Sequence, residues 1–320
     1  MKTSLITGIA GQDGSYLAEQ LLAQGRRVVG TVRPGQAVEA LPGSLGGRVR
    51  LVEWDLSDPG GMGEILEKVR PDSLFHLAAL SSGAGMYENV ALMGEHNGVA
   101  VARILESLVR FSPGTRFCLA SSSEMFGNAE SSPQSETSAF RPRSPYGAAK
   151  LFAHSAVRNA RERNGLFACS AILYNHESPR RSLGFVTRKI SDGVARIKLG
   201  LQRELLLGNL SARRDWGYAP DYMRAMSLML KQPKAEDFVI ATGQTHSVLD
   251  FCRVAFEHVG LDYRSFVRQQ EGDFRPSEQV SLVGDASRAR QSLRWVPEVT
   301  FEELVRLMVD ADLQRLQKQT

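Results

Sequence analysis

The tightest constraint in this sequence lies at its very start. Thr3–Thr7 reads as a short strand, Gly8, Gly11 and Gly14 follow at three-residue spacing, and Ser15–Gln24 reads as a helix. A strand that turns at once into a helix through such a triplet leaves few folds open. The first glycine makes the tight turn, the second lets a ligand approach the backbone, and the third permits close packing of helix on strand. The helix N-terminus then aims free N–H groups over the turn, a setting that favours the pyrophosphate of a dinucleotide.

The alternation continues downstream. Strands are expected at Arg27–Thr31, Val49–Glu53, Ser73–Leu77, Arg116–Ala120 and Cys169–Leu173, with helices at Gly61–Val69, Asn97–Leu108 and from Pro145 to near Arg163. Strands alternating with amphipathic helices predict an α/β fold of Rossmann type, a doubly wound parallel sheet covered on both faces. Pro34–Gly47 is rich in glycine and proline and reads as a loop. After about residue 175 the alternation weakens. Helices near Thr187–Leu199, Asp221–Leu230, Val248–Val259 and Phe301–Leu316 sit among short strands, which predicts a smaller C-terminal α/β substrate-binding lobe. The expected division is 1–174 for the dinucleotide domain and 175–320 for that lobe, with some later segments returning to the first.

Composition excludes several other classes. No apolar run approaches the about 18 residues of a membrane span, and the start carries no signal-peptide pattern, so a cytoplasmic address and no membrane partner are expected. The 3 cysteines (Cys118, Cys169, Cys252) and 6 histidines are scattered without ligand spacing, so no metal is expected. The net charge of +4 is spread along the chain rather than gathered with aromatics, which argues against a nucleic-acid partner.

The end of the second expected strand bears on which dinucleotide fits. Gly30-Thr31-Val32-Arg33 has no acid to hold a ribose 2′-hydroxyl, whereas Arg33 suits a 2′-phosphate. NADP is therefore the expected cofactor. Asp55-Leu56 follows the third strand, placed either to touch the adenine or as a simple turn.

Tyr146 and Lys150 form a YxxxK pair at the start of the long helix, and i, i+4 spacing puts them on one face. An ammonium beside a phenol, together with a cofactor's positive nicotinamide ring, is expected to lower its pKa and make it a base near neutral pH. The fifth strand ends in Ala120-Ser121-Ser122-Ser123-Glu124, so Ser122 is placed to hydrogen-bond a substrate hydroxyl beside Tyr146. Glu124 is an addition that simple hydride exchange does not need; it suits proton transfer at a carbon next to a ketone.

With these residues in view, the chain resembles the GDP-mannose 4,6-dehydratases of the extended short-chain dehydrogenase/reductase group. The resemblance rests on Thr7-Gly8-Ile9-Ala10-Gly11-Gln12-Asp13-Gly14-Ser15-Tyr16-Leu17, on Ser121–Glu124 with Tyr146 and Lys150, and on Asn175-His176-Glu177-Ser178-Pro179-Arg180-Arg181. Leu207-Gly208-Asn209, Arg214-Asp215-Trp216-Gly217 and Phe274-Arg275-Pro276-Ser277-Glu278 extend it over almost the whole chain. It implies that Ser122, Glu124 and Tyr146 are catalytic and that Lys150 holds the nicotinamide ribose. It implies NADP contacts at Gly8, Gly11, Gln12, Asp13, Gly14, Arg33, Asp55, Leu56, Leu77, Ala79, Ser81, His176 and Arg181. Ser81, Asn175, Lys189, Arg214, Arg275 and Glu278 would grip a GDP-sugar, and the chain would form a homodimer or homotetramer.

The implied reaction is dehydration of GDP-mannose to GDP-4-keto-6-deoxymannose by internal hydride transfer. Departures from the family pattern fall at Ser81-Ser82-Gly83, at Leu92 and in the loop after Arg33-Pro34. They keep other readings open: dehydration of another GDP-sugar such as a GDP-heptose, NADPH-dependent reduction of a GDP-4-keto-6-deoxy sugar, or a non-catalytic NADP-binding regulator.

Overall fold

A computed structural model describes residues 1–36, 41–80, 87–270 and 281–319. In chain order the first half runs β1 (Thr3–Thr7), α1 (Gln12–Ala23), β2 (Arg27–Val32), β3 (Arg50–Glu53), α2 (Gly61–Val69), β4 (Ser73–His76), α3 (Val90–Gly94), a π-helical turn (Glu95–Val99), α4 (Ala100–Phe111), β5 (Arg116–Ala120), α5 (Pro145–Asn164) and β6 (Ala168–Leu173). The second half runs β7 (Asn175–Glu177), α6 (Val186–Lys198), β8 (Leu205–Leu207), β9 (Arg213–Arg214), β10 (Trp216–Tyr218), α7 (Ala219–Met229), β11 (Phe238–Ile240), β12 (His246–Ser247), α8 (Val248–His258), α9 (Tyr263–Phe266), β13 (Val267–Gln269) and α10 (Phe301–Gln317).

Seven strands form one parallel sheet in the order β11-β6-β5-β4-β1-β2-β3. Alternation along each strand sends its side chains to opposite faces. Ile6, Phe75 and Cys118 join α1 and α7 in one core, while Leu5, Leu74, Phe117 and Leu119 join α2, α4 and α5 in another. Both faces being covered explains why the strands read as continuous apolar runs. The order reverses between β1 and β4, so a crevice opens at the carboxyl ends of those strands, where such sheets bind ligands.

The C-terminal half gathers a third core around Trp216 from α6, α8 and α10. Small two-stranded pairings, β10 with β7, β12 with β9 and β13 with β8, tie its loops together. The chain also returns to the main sheet, because β11 pairs with β6 from Ala171 to Leu173.

One expected boundary is corrected. Helix was expected from Asn97, yet it begins at Val90 and passes through the π turn before α4. The wider turn brings buried Asn97 against the strand-end loop, where it accepts from Leu80 N at 2.9 Å and donates to Leu80 O at 3.0 Å. An interior satisfied by a loop rather than by its own helix leaves a weak periodic signal.

Candidate functional site

The crevice is built first by backbone. Gly8 adopts φ +72°, and a Cβ there would come 2.9 Å from Ala78 N and Cα. At Gly14 a Cβ would reach 2.3 Å from Gly8 O, so helix and turn pack at a distance only glycine allows. Gly11 caps α1 with no side-chain hydrogen bond, which leaves the helix N-terminus open to an anion. These features fit a dinucleotide pyrophosphate.

Beside this turn, Thr7 Oγ1 accepts from Leu77 N at 3.1 Å and Ala78 N at 3.2 Å. Its proton is thereby directed to His76 Nδ1, 2.8 Å away. Burial, with Lys150 nearby, pushes His76 down to about 3, so it stays neutral. Thr7, His76 and Asn97 thus fix the loop bearing Leu77 and Ala79. Sequence reading missed all three, and the only available signal was polar residues at positions otherwise reserved for core.

Toward the β2–β3 edge, Arg33 is exposed and Asp55 is half-buried. Hydrogen bonds from Ser57, reinforced by His96 and Arg33, hold the Asp55 carboxyl below its ordinary range. Arg33 and Asp55 are therefore close enough to feel each other at the end where the adenosine of a dinucleotide would lie.

The side chains expected to be catalytic gather at the end of β5 and the start of α5. Ser144 Oγ accepts from Gly147 N at 3.0 Å and Pro145 occupies the first turn of α5, which starts the helix sharply and sets Tyr146 in that turn. Lys150 lies one turn on, buried, and donates to Ala120 O at 2.9 Å. Ser122 caps the short 3-10 turn Ser123–Met125 by accepting from Glu124 N at 3.2 Å. A Cβ at Gly147 would come 2.5 Å from Glu124 O, so the start of α5 rests directly on the backbone of the glutamate.

Burial drives the Tyr146 phenol up to about 12; a hydrogen bond with Ser122 opposes this, and Glu124 adds to it. This is the ligand-free phenol; the expected lowering by Lys150 together with a positive nicotinamide ring concerns the cofactor-bound site. The ammonium is engaged with Ala120 O, 5.7 Å from the Tyr146 ring centroid, and desolvation of the phenol dominates. Lys150 itself is pushed down to about 8 by burial, with Asp13 working the other way.

Behind these groups, Gln12 and Asp13 face β7. Gln12 Nε2 donates to Asp13 Oδ1 at 3.0 Å and to His176 O at 3.1 Å, and Gln12 Oε1 accepts from Ser178 Oγ at 2.7 Å. His176 Nε2 lies 2.9 Å from Asp13 Oδ2. Arg181 stacks on Phe185 at 3.5 Å and acts on both Asp13 and Tyr146.

The remaining expected ligand groups are more dispersed. Asn175 pairs with Trp216 through β7 and β10, next to His176. Lys189 is exposed in the first turn of α6, and Arg214 is half-buried in β9 with Nη1 donating to Arg213 O at 2.7 Å. Ser81, Arg275 and Glu278 lie outside the described residues, as do Ser82 and Gly83, whereas Leu92 is exposed on α3. Among the described residues no cluster suited to a metal occurs, and no helix is long and apolar enough to cross a membrane.

Comparison with known proteins agrees with this geometry. The family model described as GDP-mannose 4,6 dehydratase matches residues 5–308. GDP-mannose 4,6 dehydratase 1 of Arabidopsis thaliana is 43% identical, covering 98% of this chain and 90% of that protein. The GDP-mannose 4,6-dehydratase of Vibrio cholerae is 41% identical, covering 99% and 95%. Among solved structures, RMD from Pseudomonas aeruginosa complexed with NADPH superimposes with a TM-score of 0.84 at 23% identity, covering 98% of this chain and 100% of that one, which shows the shared fold. A Rossmann sheet with Ser122, Glu124, Tyr146 and Lys150 at the end of β5 and the start of α5, matched along nearly its full length, places this extended short-chain dehydrogenase/reductase in the GDP-mannose 4,6-dehydratase family.

Proposed function

We propose that the chain holds NADP⁺ and converts GDP-mannose to GDP-4-keto-6-deoxymannose by internal redox and loss of water. The observation that carries this reading is the placement of Glu124, whose backbone N donates to Ser122 Oγ at 3.2 Å and whose carbonyl lies against the start of α5 that bears Tyr146. A carboxylate there suits proton removal next to a ketone, which simple hydride exchange does not need. Gly8, Gly11 and Gly14 would seat the pyrophosphate, with Leu77, Ala79 and Leu56 along the dinucleotide. Arg33 would meet the 2′-phosphate, with Asp55 at the adenosine. Bound NADP⁺ supplies the hydride acceptor for C4 and, once reduced, the donor for C6.

Tyr146 takes the proton of the C4 hydroxyl while Ser122 holds that hydroxyl in place. Lys150, fixed by Ala120 O, orients the nicotinamide ribose and favours the phenolate. The 4-ketone acidifies the C5 hydrogen; Glu124 removes it and delivers a proton to the departing C6 hydroxyl, so that water leaves across C5–C6. As hydride enters C6 a proton from solvent returns to C5, and Tyr146 releases its own. Asn175, Lys189 and Arg214 would hold the GDP-sugar, with cationic groups matched to its diphosphate. Residues 1–174 then serve the cofactor and 175–320 chiefly the sugar nucleotide.

A homo-oligomer fits the same reading. Tyr87, Val90 and Leu92 at and before α3, and Phe152 on α5, are exposed apolar side chains on helices that pack together. The expected setting is the cytoplasm.

The test is incubation with GDP-mannose and no added cofactor, read by mass spectrometry and NADPH absorbance. Loss of one water with no net NADPH change is expected. No product with GDP-mannose, but water loss from a GDP-heptose, would move the substrate; NADPH oxidation by a GDP-4-keto-6-deoxy sugar alone would overturn dehydration. For the cofactor, R33A should weaken NADP⁺ roughly tenfold or more and leave NAD⁺ unchanged.

A further inference from the structure

An aspartate in a pyrophosphate-binding turn is a physical problem, because it sets a negative charge beside a ligand that carries two. Asp13 is such a residue, in the first turn of α1 between Gly11 and Gly14. Its side chain is only 22% exposed, so water screens it weakly. The hydrogen-bond roles around it show what compensates.

His176 Nδ1 lies 2.7 Å from Tyr174 O, and Nε2 lies 2.9 Å from Asp13 Oδ2. A carbonyl and an ionised carboxylate only accept. Burial opposes charge on Asp13, yet His176 and Gln12 hold its carboxyl below the ordinary range. Both ring nitrogens therefore donate, and a neutral imidazole has a proton for one of them alone. The neighbouring amide is consistent with this assignment. Gln12 Nε2 donates to Asp13 Oδ1 and His176 O, and Gln12 Oε1 takes the Ser178 hydroxyl proton. Each donor in the ring therefore meets an acceptor, provided His176 is doubly protonated. Tyr222 stacks on the imidazole at 5.0 Å and fixes its plane.

We propose that His176 is a positioning residue: a standing imidazolium that neutralises Asp13, fastens the dinucleotide turn to β7, and makes no ring contact with the cofactor. Both of its nitrogens are already spent on protein acceptors. This revises the direct NADP contact expected of His176 and rests on the reading that the Gly8–Gly14 turn holds NADP. The charged groups around the pair are Arg181 on the segment after β7, and Lys150 and Tyr146 on α5, both of which respond to Asp13. His176 thus sets the charge balance at the reactive pair without touching substrate.

The experiment uses the full chain labelled with ¹⁵N-histidine, with the His176 signal assigned by its loss in H176Q. At neutral pH an ordinary histidine is mostly neutral. Both ring nitrogens of His176 are expected to resonate as protonated, and to stay so when NADP⁺ is added. A neutral tautomer, or a ring nitrogen that shifts on NADP⁺ addition as for a new hydrogen bond, would overturn the proposal.

NADP⁺ affinity supplies the second arm. Simple charge repulsion expects D13N to bind NADP⁺ more tightly. Positioning expects D13N and H176Q each to weaken it by roughly tenfold or more, and the double variant to lose no more than either single. Tighter binding by D13N overturns the proposal. Should the wild-type chain bind no NADP⁺ at all, the parent reading fails, while the ring-nitrogen measurement still decides the protonation of His176.

Discussion

Tyr146 and Lys150 carry opposite electrostatic burdens. The phenol stands at about 12 and the ammonium at about 8, both chiefly because burial penalises their charged forms. For Lys150 the folded value lies below the ordinary 10.5, so the unfolded chain holds more protons between those two values. Stability of the ligand-free protein should therefore rise with pH across that window, by about 3 kcal/mol from this residue. Comparing the pH dependence of urea midpoints for wild type and K150M isolates that gain; parallel curves would refute it. Turnover should fall over the same window as the ammonium is lost, and Y146F should lose about 10²–10⁴-fold in turnover while still binding cofactor. The glycine triplet and the YxxxK pair were legible in the sequence because each is local. The Thr7–His76 bond and the Asp13–His176 pair were not, since their partners lie far apart along the chain and only the fold brings them together. The raised phenol was equally hidden, because desolvation depends on what covers the ring.

The elements show the same division between local and distant signals. Helices with an N-cap and an apolar stripe, such as α8 and α10, could be read from the chain; Ser247 and Thr300 head capping boxes. β11 could not, because three residues are too few to declare a period. What holds α6 against α10 is also invisible locally. Asp312 is fully buried and bonds Arg188 Nε at 3.0 Å and Ser191 Oγ at 2.7 Å, with Arg315 closing the group at 3.1 Å. Arg188 in turn donates to Arg181 O at 2.9 Å, so the last helix steadies the segment that carries Arg181. Removing one partner of a buried pair strands the other charge. D312A should cost about 3–5 kcal/mol, seen as a lower urea midpoint with an unchanged slope. A midpoint within error of wild type would show that water replaces the carboxylate.

At the scale of the whole molecule, the exposed apolar row of α3 and α5 predicts self-association. Phe152 is 53% exposed although it sits on a helix whose other face is core. F152D should shift the chain toward monomer in sedimentation at fixed concentration, leaving secondary structure unchanged; an unaltered sedimentation coefficient would remove this face from the interface. The sheet has its own bearing on how the molecule comes into being. Its outer strand β11 is supplied long after β6, and Asp237 just before it receives Arg161 Nη2 at 2.8 Å and Ser170 N at 2.7 Å. During synthesis β6 must therefore wait with one edge bare until most of the chain has left the ribosome. A nascent chain halted after β6 would present an open, apolar strand to its neighbours. The seven-stranded sheet is then not a part that can be lifted out whole at residue 174, because its outer strand is supplied by the second half of the chain.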